Sequence, residues 1–255
     1  MLNEHWFGFL LIFIRTVCVL VTFPVTSYQG IPHLIKVWLA AVVAYLLFIS
    51  GSITLPSAAN LHTFSIIMAI GSEVAAGLLM GFAVLMVING FRMAGQFIDI
   101  KMGLAAAGIF DPQFGSTTTL ISQFYYLFAI MIYLAIYGHH HLFMALGESF
   151  SVIPLGQMSW SGAALDLFLQ KFGQVWLLAF QVSAPVVATT VITDISLGLI
   201  SKTVPQLHVF LLGMPAKIFL GLLIVYVTLP YLSVLADESL QRISPFLLSL
   251  LEGVL

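Results

Sequence analysis

Apolar residues run through this chain in long blocks. Six of them, at 6–25, 37–55, 64–91, 118–137, 172–200 and 209–235, approach or exceed the ~20 residues that a helix needs to cross about 30 Å of hydrocarbon. Two briefer blocks, 141–153 and 243–255, are too short to count as spans and read as interfacial or re-entrant. Pro24, Pro32, Pro56, Pro112, Pro154, Pro205 and Pro245 fall at or near block ends, as helix punctuation should, whereas Pro185 and Pro230 lie inside blocks and predict kinks. The pattern predicts an all-α membrane protein of about six long hydrophobic helices, kinked and in part re-entrant. No low-complexity stretch or flexible linker interrupts it, so the chain reads as one domain in two parts, 1–165 and 166–255, divided near Trp160 to Asp166.

Composition points the same way. With 255 residues, 61% of them hydrophobic, and a mean hydropathy of +1.11, the chain has too much apolar surface for one water-soluble core. The net charge of −2 and the lack of a basic cluster argue against a nucleic-acid partner. Cys18 is the single cysteine and can form no intramolecular disulfide. The N-terminus lacks the marks of a cleaved leader: Met1 to His5 carries Glu4 and no Lys or Arg, Arg15 interrupts the apolar block, and no A-x-A site precedes Pro24. Lys36, Arg92, Lys101 and Lys202 read as lying in the first, third and fifth connections, against Lys171 and Arg242 in the fourth and the tail. That balance favours an external N-terminus and a cytoplasmic hairpin tip near Lys202 to Gln206.

Charge inside the blocks is rare. Arg15, Glu73, Asp194 and Lys217 would each cost roughly 2.5–3.5 kcal/mol at the centre of a lipid-facing helix, so each is expected to face protein or water. Asp194 and Lys217 lie at similar distances from the turn at Pro205 and can pair across a hairpin; the alternative is that Lys217 snorkels to an interface. Glu73 opens E-x3-G-x3-G, which puts Gly77 and Gly81 on one helix face and predicts close approach of a second helix there.

The stretch Gly95 to Ser116, GQFIDIKMGLAAAGIFDPQFGS, breaks the apolar rule most clearly. It holds Asp99, Lys101 and Asp111 in a chain with 7% charged residues. Asp111 precedes Pro112, between Gly108 and Gly115, so a helix should break there. Irregular backbone at bilayer depth survives only inside protein or along a watery cavity. A polar-edged loop over 106–118 therefore suggests a lining or closure of a path, with Ile109 and Phe110 beside the Asp111–Pro112 corner. Phe110 and Phe114 are either ordinary packing or a hydrophobic constriction.

Catalytic and metal patterns are not found. His139, His140 and His141 point about 100° apart on a helix and cannot all serve one ion. They read as a polar helix end in which His139 makes a hydrogen bond. HExxH, GxSxG, a P-loop and a dinucleotide glycine fingerprint do not occur, and neither an enzyme nor a cofactor is expected. A secondary transporter using Glu73, Asp194 and a discontinuous helix at the midplane is the rival of a different class.

An ordered set of motifs resembles the FliR family of flagellar biosynthetic proteins and their virulence-type secretion relatives. In the first part these are G-x-F-I-D-x-x-M-G (Gly95 to Gly103), F-D-P (Phe110 to Pro112), G-H-H (Gly138 to His140), S-F (Ser149, Phe150) and P-x-G (Pro154, Gly156). In the second they are A-P (Ala184, Pro185), D-I-S-L-G-L-I-S (Asp194 to Ser201), P-Q-L-x-V-F (Pro205 to Phe210) and K-I-F-L-G (Lys217 to Gly221). Tyr137 and His208 depart from the asparagines usual in that family, and the G-H-H run favours the flagellar branch. The resemblance implies a single-copy subunit of a type III protein export gate in the bacterial inner membrane, at the flagellar basal body. Its partners would be FliP-like, FliQ-like and FlhB-like proteins, and its cargo unfolded export substrates. It also implies a FliP-like first part, a FliQ-like C-terminal hairpin with Lys217 as a hairpin contact, and a plug at Ile109 to Ser116. In that plug Ile109, Phe110, Asp111, Pro112, Phe114 and Gly115 would close the channel together with a methionine ring from the FliP-like partner.

Overall fold

A computed structural model of the chain describes residues 2–26, 32–50, 53, 63–104, 120–157, 162–203 and 209–253. Every regular element among them is a helix: α1 (Leu2–Thr22), α2 (His33–Ile49), α3 (Thr63–Met102), α4 (Leu120–Ala135), α5 (Gly138–Val152), α6 (Gly162–Thr203), α7 (Val209–Gln241) and α8 (Ile243–Glu252). Four stretches are long and apolar enough to cross a membrane: His5–Thr22, α3, Leu165–Thr203 and Gly213–Leu251; α4 with α5 makes a fifth if the broken pair is one span. This is a multi-pass, all-α membrane protein.

Each of the six apolar blocks falls on a helix, with ends that differ for physical reasons. The second block yields only the 17 residues of α2, about 25 Å of helix and short of a full crossing. It starts after Pro32 and stops at Ser50, whose hydroxyl turns back to Leu47 O at 2.7 Å. The third extends well past Ile88 to form a helix of 40 residues, about 60 Å long. Among its buried positions, Ala76, Met80, Val84, Val87, Phe91, Ala94, Ile98 and Met102 recur at three- and four-residue spacing, so one face stays covered to the last turn. Gly103, at φ +83°, then ends it in the left-handed conformation that glycine adopts without steric cost. The fourth block stops where Tyr137 takes φ 57°, which separates α4 from α5. Pro185 and Pro230 lie inside α6 and α7, together with Pro215.

Helical extension also corrects the charge count along the chain. Lys36, Arg92, Lys101 and Lys202 belong to α2, α3, α3 and α6 and not to connections.

The described chain divides into two compact units. The first comprises Met1–Val87, Leu134–Phe172 and Leu240–Leu255, the second Ile88–Tyr133 and Gly173–Ser239. In the first, α1 packs along α2, and α5 packs on α8. In the second, the end of α3 packs on α4, with Gly95 closing on the backbone of Ser122, and Phe97 stacks on Phe180 of α6 with ring centroids 5.1 Å apart.

Candidate functional site

The first unit is organised around Arg15, a residue that is 0% exposed on α1. A guanidinium carries five N–H donors and no acceptor, and here all five are engaged. Nε donates to Glu73 Oε2 at 2.6 Å and Nη2 to Glu73 Oε1 at 3.1 Å. Nη1 donates to Ser149 O and Ser149 Oγ, both at 3.0 Å, and Nη2 also to Ile153 O at 3.1 Å. Phe150 covers the charge, with its ring centroid 4.3 Å from Cζ. The acid is equally occupied, since Glu73 Oε1 accepts a further bond from Gly156 N at 2.8 Å. Gly156 can turn toward it because its φ of +76° suits glycine.

Sequence patterns placed Arg15 and Glu73 against protein or water but did not join them to each other. The available signal was two lone, opposite charges in separate apolar blocks, each with the same cost to offset. The glycines that follow Glu73 make the approach possible. A Cβ on Gly77 would lie 2.6 Å from Arg15 O and one on Gly81 would lie 1.7 Å from Thr22 Oγ1, so α1 and α3 touch backbone to backbone along that face.

In the second unit the corresponding residue is Asp99, also 0% exposed and set in the last turns of α3. Its two oxygens accept from the first turn of α4: Oδ1 from Ile121 N at 3.1 Å and Oδ2 from Ser122 N at 2.8 Å. The opening amides of a helix have no partner within it and carry the positive end of the macrodipole. A carboxylate from a neighbouring helix therefore serves as cap and counter-charge at once. Ser122 Oγ returns a bond to Arg92 O at 3.2 Å, and the Arg92 guanidinium lies over the Tyr126 ring at 5.4 Å.

Asp99 thus ties the end of α3 to the start of α4, the two helices that residues 105–119 connect. The described chain departs at Gly103 and Leu104 and resumes at Leu120, so the helices that flank that connection are tied together at one carboxylate. The expected plug residues Ile109, Phe110, Asp111, Pro112, Phe114 and Gly115 lie outside the described residues, as does His208.

Met102 is held as well. It is fully buried, and a Cβ on Gly221 of α7 would lie 2.7 Å from its Cγ and Sδ. The Met-Gly that ends the first motif is thereby seated on the glycine that ends K-I-F-L-G. Four residues before that glycine, Lys217 pairs with Asp194 of α6, with the lysine side chain 24% and the aspartate 47% exposed.

The histidines behave differently from expectation. His140 N and His141 N both donate to Tyr137 O, at 2.9 and 3.2 Å, which starts α5 on backbone bonds alone. His139 Nδ1 is buried without a hydrogen-bond partner among the described residues. No group of three or more His, Cys, Asp or Glu placed to hold a metal ion occurs among the described residues.

Two glycines on α3 offer a matched test. A Cβ at Gly95 would sit 2.4 Å from Ser122 Cα, a backbone atom that cannot yield locally, whereas one at Gly71 meets nothing within 4 Å. Gly95→Ala should therefore lower stability by about 1–3 kcal/mol through overpacking. Gly71→Ala should raise it by about 0.4–1 kcal/mol through the unfolded state. Thermal unfolding midpoints of the two variants in one detergent should move in opposite directions; equal shifts would refute the close approach at Ser122.

The family model for bacterial export proteins, family 1, matches residues 6–243. The chain is 34% identical over 223 residues to the flagellar biosynthetic protein FliR of Bacillus subtilis (strain 168), covering 86% of this chain and 85% of the relative. The FliR of Aquifex aeolicus (strain VF5) is 27% identical, with 94% and 92% covered, and that of Escherichia coli (strain K12) 23% identical, with 94% and 93% covered. Both units carry motifs of that family, and the match runs across all but the ends: the chain belongs to the bacterial export proteins, family 1, the family of FliR.

Proposed function

We propose that this protein is a subunit of the flagellar type III export gate in the bacterial inner membrane, present once per gate. FliP-like, FliQ-like and FlhB-like proteins assemble with it at the basal body, and unfolded export substrates pass through the conduit they share. Residues 1–165 play the FliP-like part, residues 166–255 form the FliQ-like hairpin with Lys217 among its contacts, and residues 106–118 stopper the conduit. The observation that carries this proposal is the Asp99 clamp. A stopper must be anchored firmly at its base if its tip is to open and close, and a single buried carboxylate ties together the two helices that flank the 105–119 connection. The sequence of that connection supports the same role, with Phe110 and Phe114 as apolar rings around the Asp111–Pro112 corner. The membership of FliR proteins in the same family supports the export context. Glu73, which a solute transporter would need available, has both oxygens taken up by Arg15 and Gly156.

Removing Ile109 to Ser116 tests the stopper. In gate complexes reconstituted into bilayers, the shortened protein should conduct ions while the wild type stays closed. A complex that assembles with normal subunit content and leaks no more than wild type would defeat the assignment.

A further inference from the structure

Much of α7 is exposed, as Phe219, Tyr226 and Val227 are, and its covered positions Gly221, Val225 and Leu232 fall on one narrow seam. Three residues along that seam, Met214, Gly221 and Thr228, reach the helices that flank the 105–119 connection. They recur every seven residues, almost two turns of helix, and so share one face. Met214 lies against Gly103, where a Cβ would sit 3.7 Å from its Cγ. Gly221 receives the Met102 side chain, whose Cγ, Sδ and Cε would all lie within 2.8 Å of a Cβ at that position. Thr228 is hydrogen-bonded to the phenol of Tyr125, a buried residue in the second turn of α4. Its own hydroxyl proton goes to Ile224 O at 2.8 Å, which leaves the oxygen to accept from the tyrosine.

We propose that Met214, Gly221 and Thr228 are positioning residues for the stopper, acting through Gly103, Met102 and Tyr125. The proposal rests on the reading of residues 106–118 as the stopper and adds the surface that sets its base. Two adjacent amides on the Asp99 carboxylate fix the separation of α3 and α4 there and leave their crossing angle to other contacts. The seam supplies those contacts, since one helix meets the end of α3 at two points and α4 at a third. From Met214 to Thr228 it runs about 21 Å, a long arm beside a single carboxylate. Local preference does not explain its composition: glycine is a poor residue for a helix interior, and the Met102 thioether fills the space that Gly221 leaves. Lys217 lies on the same face between Met214 and Gly221, and its pair with Asp194 ties that face to α6.

Met102→Ala tests the seam in gate complexes containing the full chain, because it removes Cγ, Sδ and Cε and empties the space over Gly221. Exchange of the Ile121 and Ser122 amides should accelerate at least ~10-fold, and complexes with normal subunit content should conduct ions at rest. Gly221→Val in the same chain returns the lost volume from the α7 side. It should bring the acceleration down to about 3-fold or less and reduce the leak. Tyr125→Phe, which keeps the buried ring and deletes only the bond to Thr228, covers the case in which Met102→Ala does not assemble; it should accelerate the same amides about 3-fold and also leak. Unchanged exchange in the variants that assemble, or a leak that Gly221→Val leaves as it was, would overturn the proposal. Faster exchange without a leak, where deletion of Ile109 to Ser116 does leak, would overturn it too and leave the stopper standing. A deletion that does not leak would instead defeat the stopper reading, and this proposal with it.

Discussion

Asp99→Ala should open the gate and loosen the first turn of α4 in the same protein. The substitution strands the amides of Ile121 and Ser122, which the carboxylate accepts at 3.1 and 2.8 Å. Bonds to a charged group contribute about 1.5–3 kcal/mol each, so exchange of those two amides should accelerate by at least ~10-fold. Gate complexes carrying the variant should conduct ions at rest, since the base of the 105–119 connection is no longer fixed. Asp99→Asn, which keeps one acceptor oxygen, should fall between wild type and alanine in both measurements. Faster exchange without any leak would separate the clamp from gating and leave it a purely structural cap.

Breaking the Arg15–Glu73 pair should have the larger effect on stability. Both groups are 0% exposed, and removing one partner leaves the other as an uncompensated buried charge, a loss of about 3–5 kcal/mol. Arg15→Met or Glu73→Gln alone should sharply reduce the yield and unfolding midpoint of the protein in detergent. The double variant should recover part of that loss, because neither charge then remains. Recovery should be incomplete, since the carbonyls of Ser149 and Ile153 lose their donor. A double variant no better than the worse single one would show that the hydrogen bonds, and not the charges, dominate.

Helix content was legible because each block of apolar residues is long enough that no other element satisfies its backbone in lipid. The true length of α3 was not. Arg92, Gln96, Asp99 and Lys101 read locally as the polar end of a span, yet Asp99 is buried on α4 and Arg92 reaches Tyr126, so tertiary contacts carry the helix through them. The Asp194–Lys217 pair could be anticipated from symmetry about a hairpin turn. Arg15 and Glu73 lie 58 residues apart on separate helices, and periodicity within a helix contains no information on which distant helix will face it. The partners of Asp99 were hidden for a different reason, being backbone amides that leave no trace in side-chain chemistry. The seat of Met102 on Gly221 was equally silent, although both residues belong to the family's motifs.

The order of synthesis adds a consequence of the Arg15 cluster. Its counter-ion Glu73 is made 58 residues after the arginine and its most distant acceptor, Ile153 O, 138 residues after it, so the cluster closes only when three separate helices are present. Until Glu73 has been made, the charge on α1 has no counter-ion in this cluster.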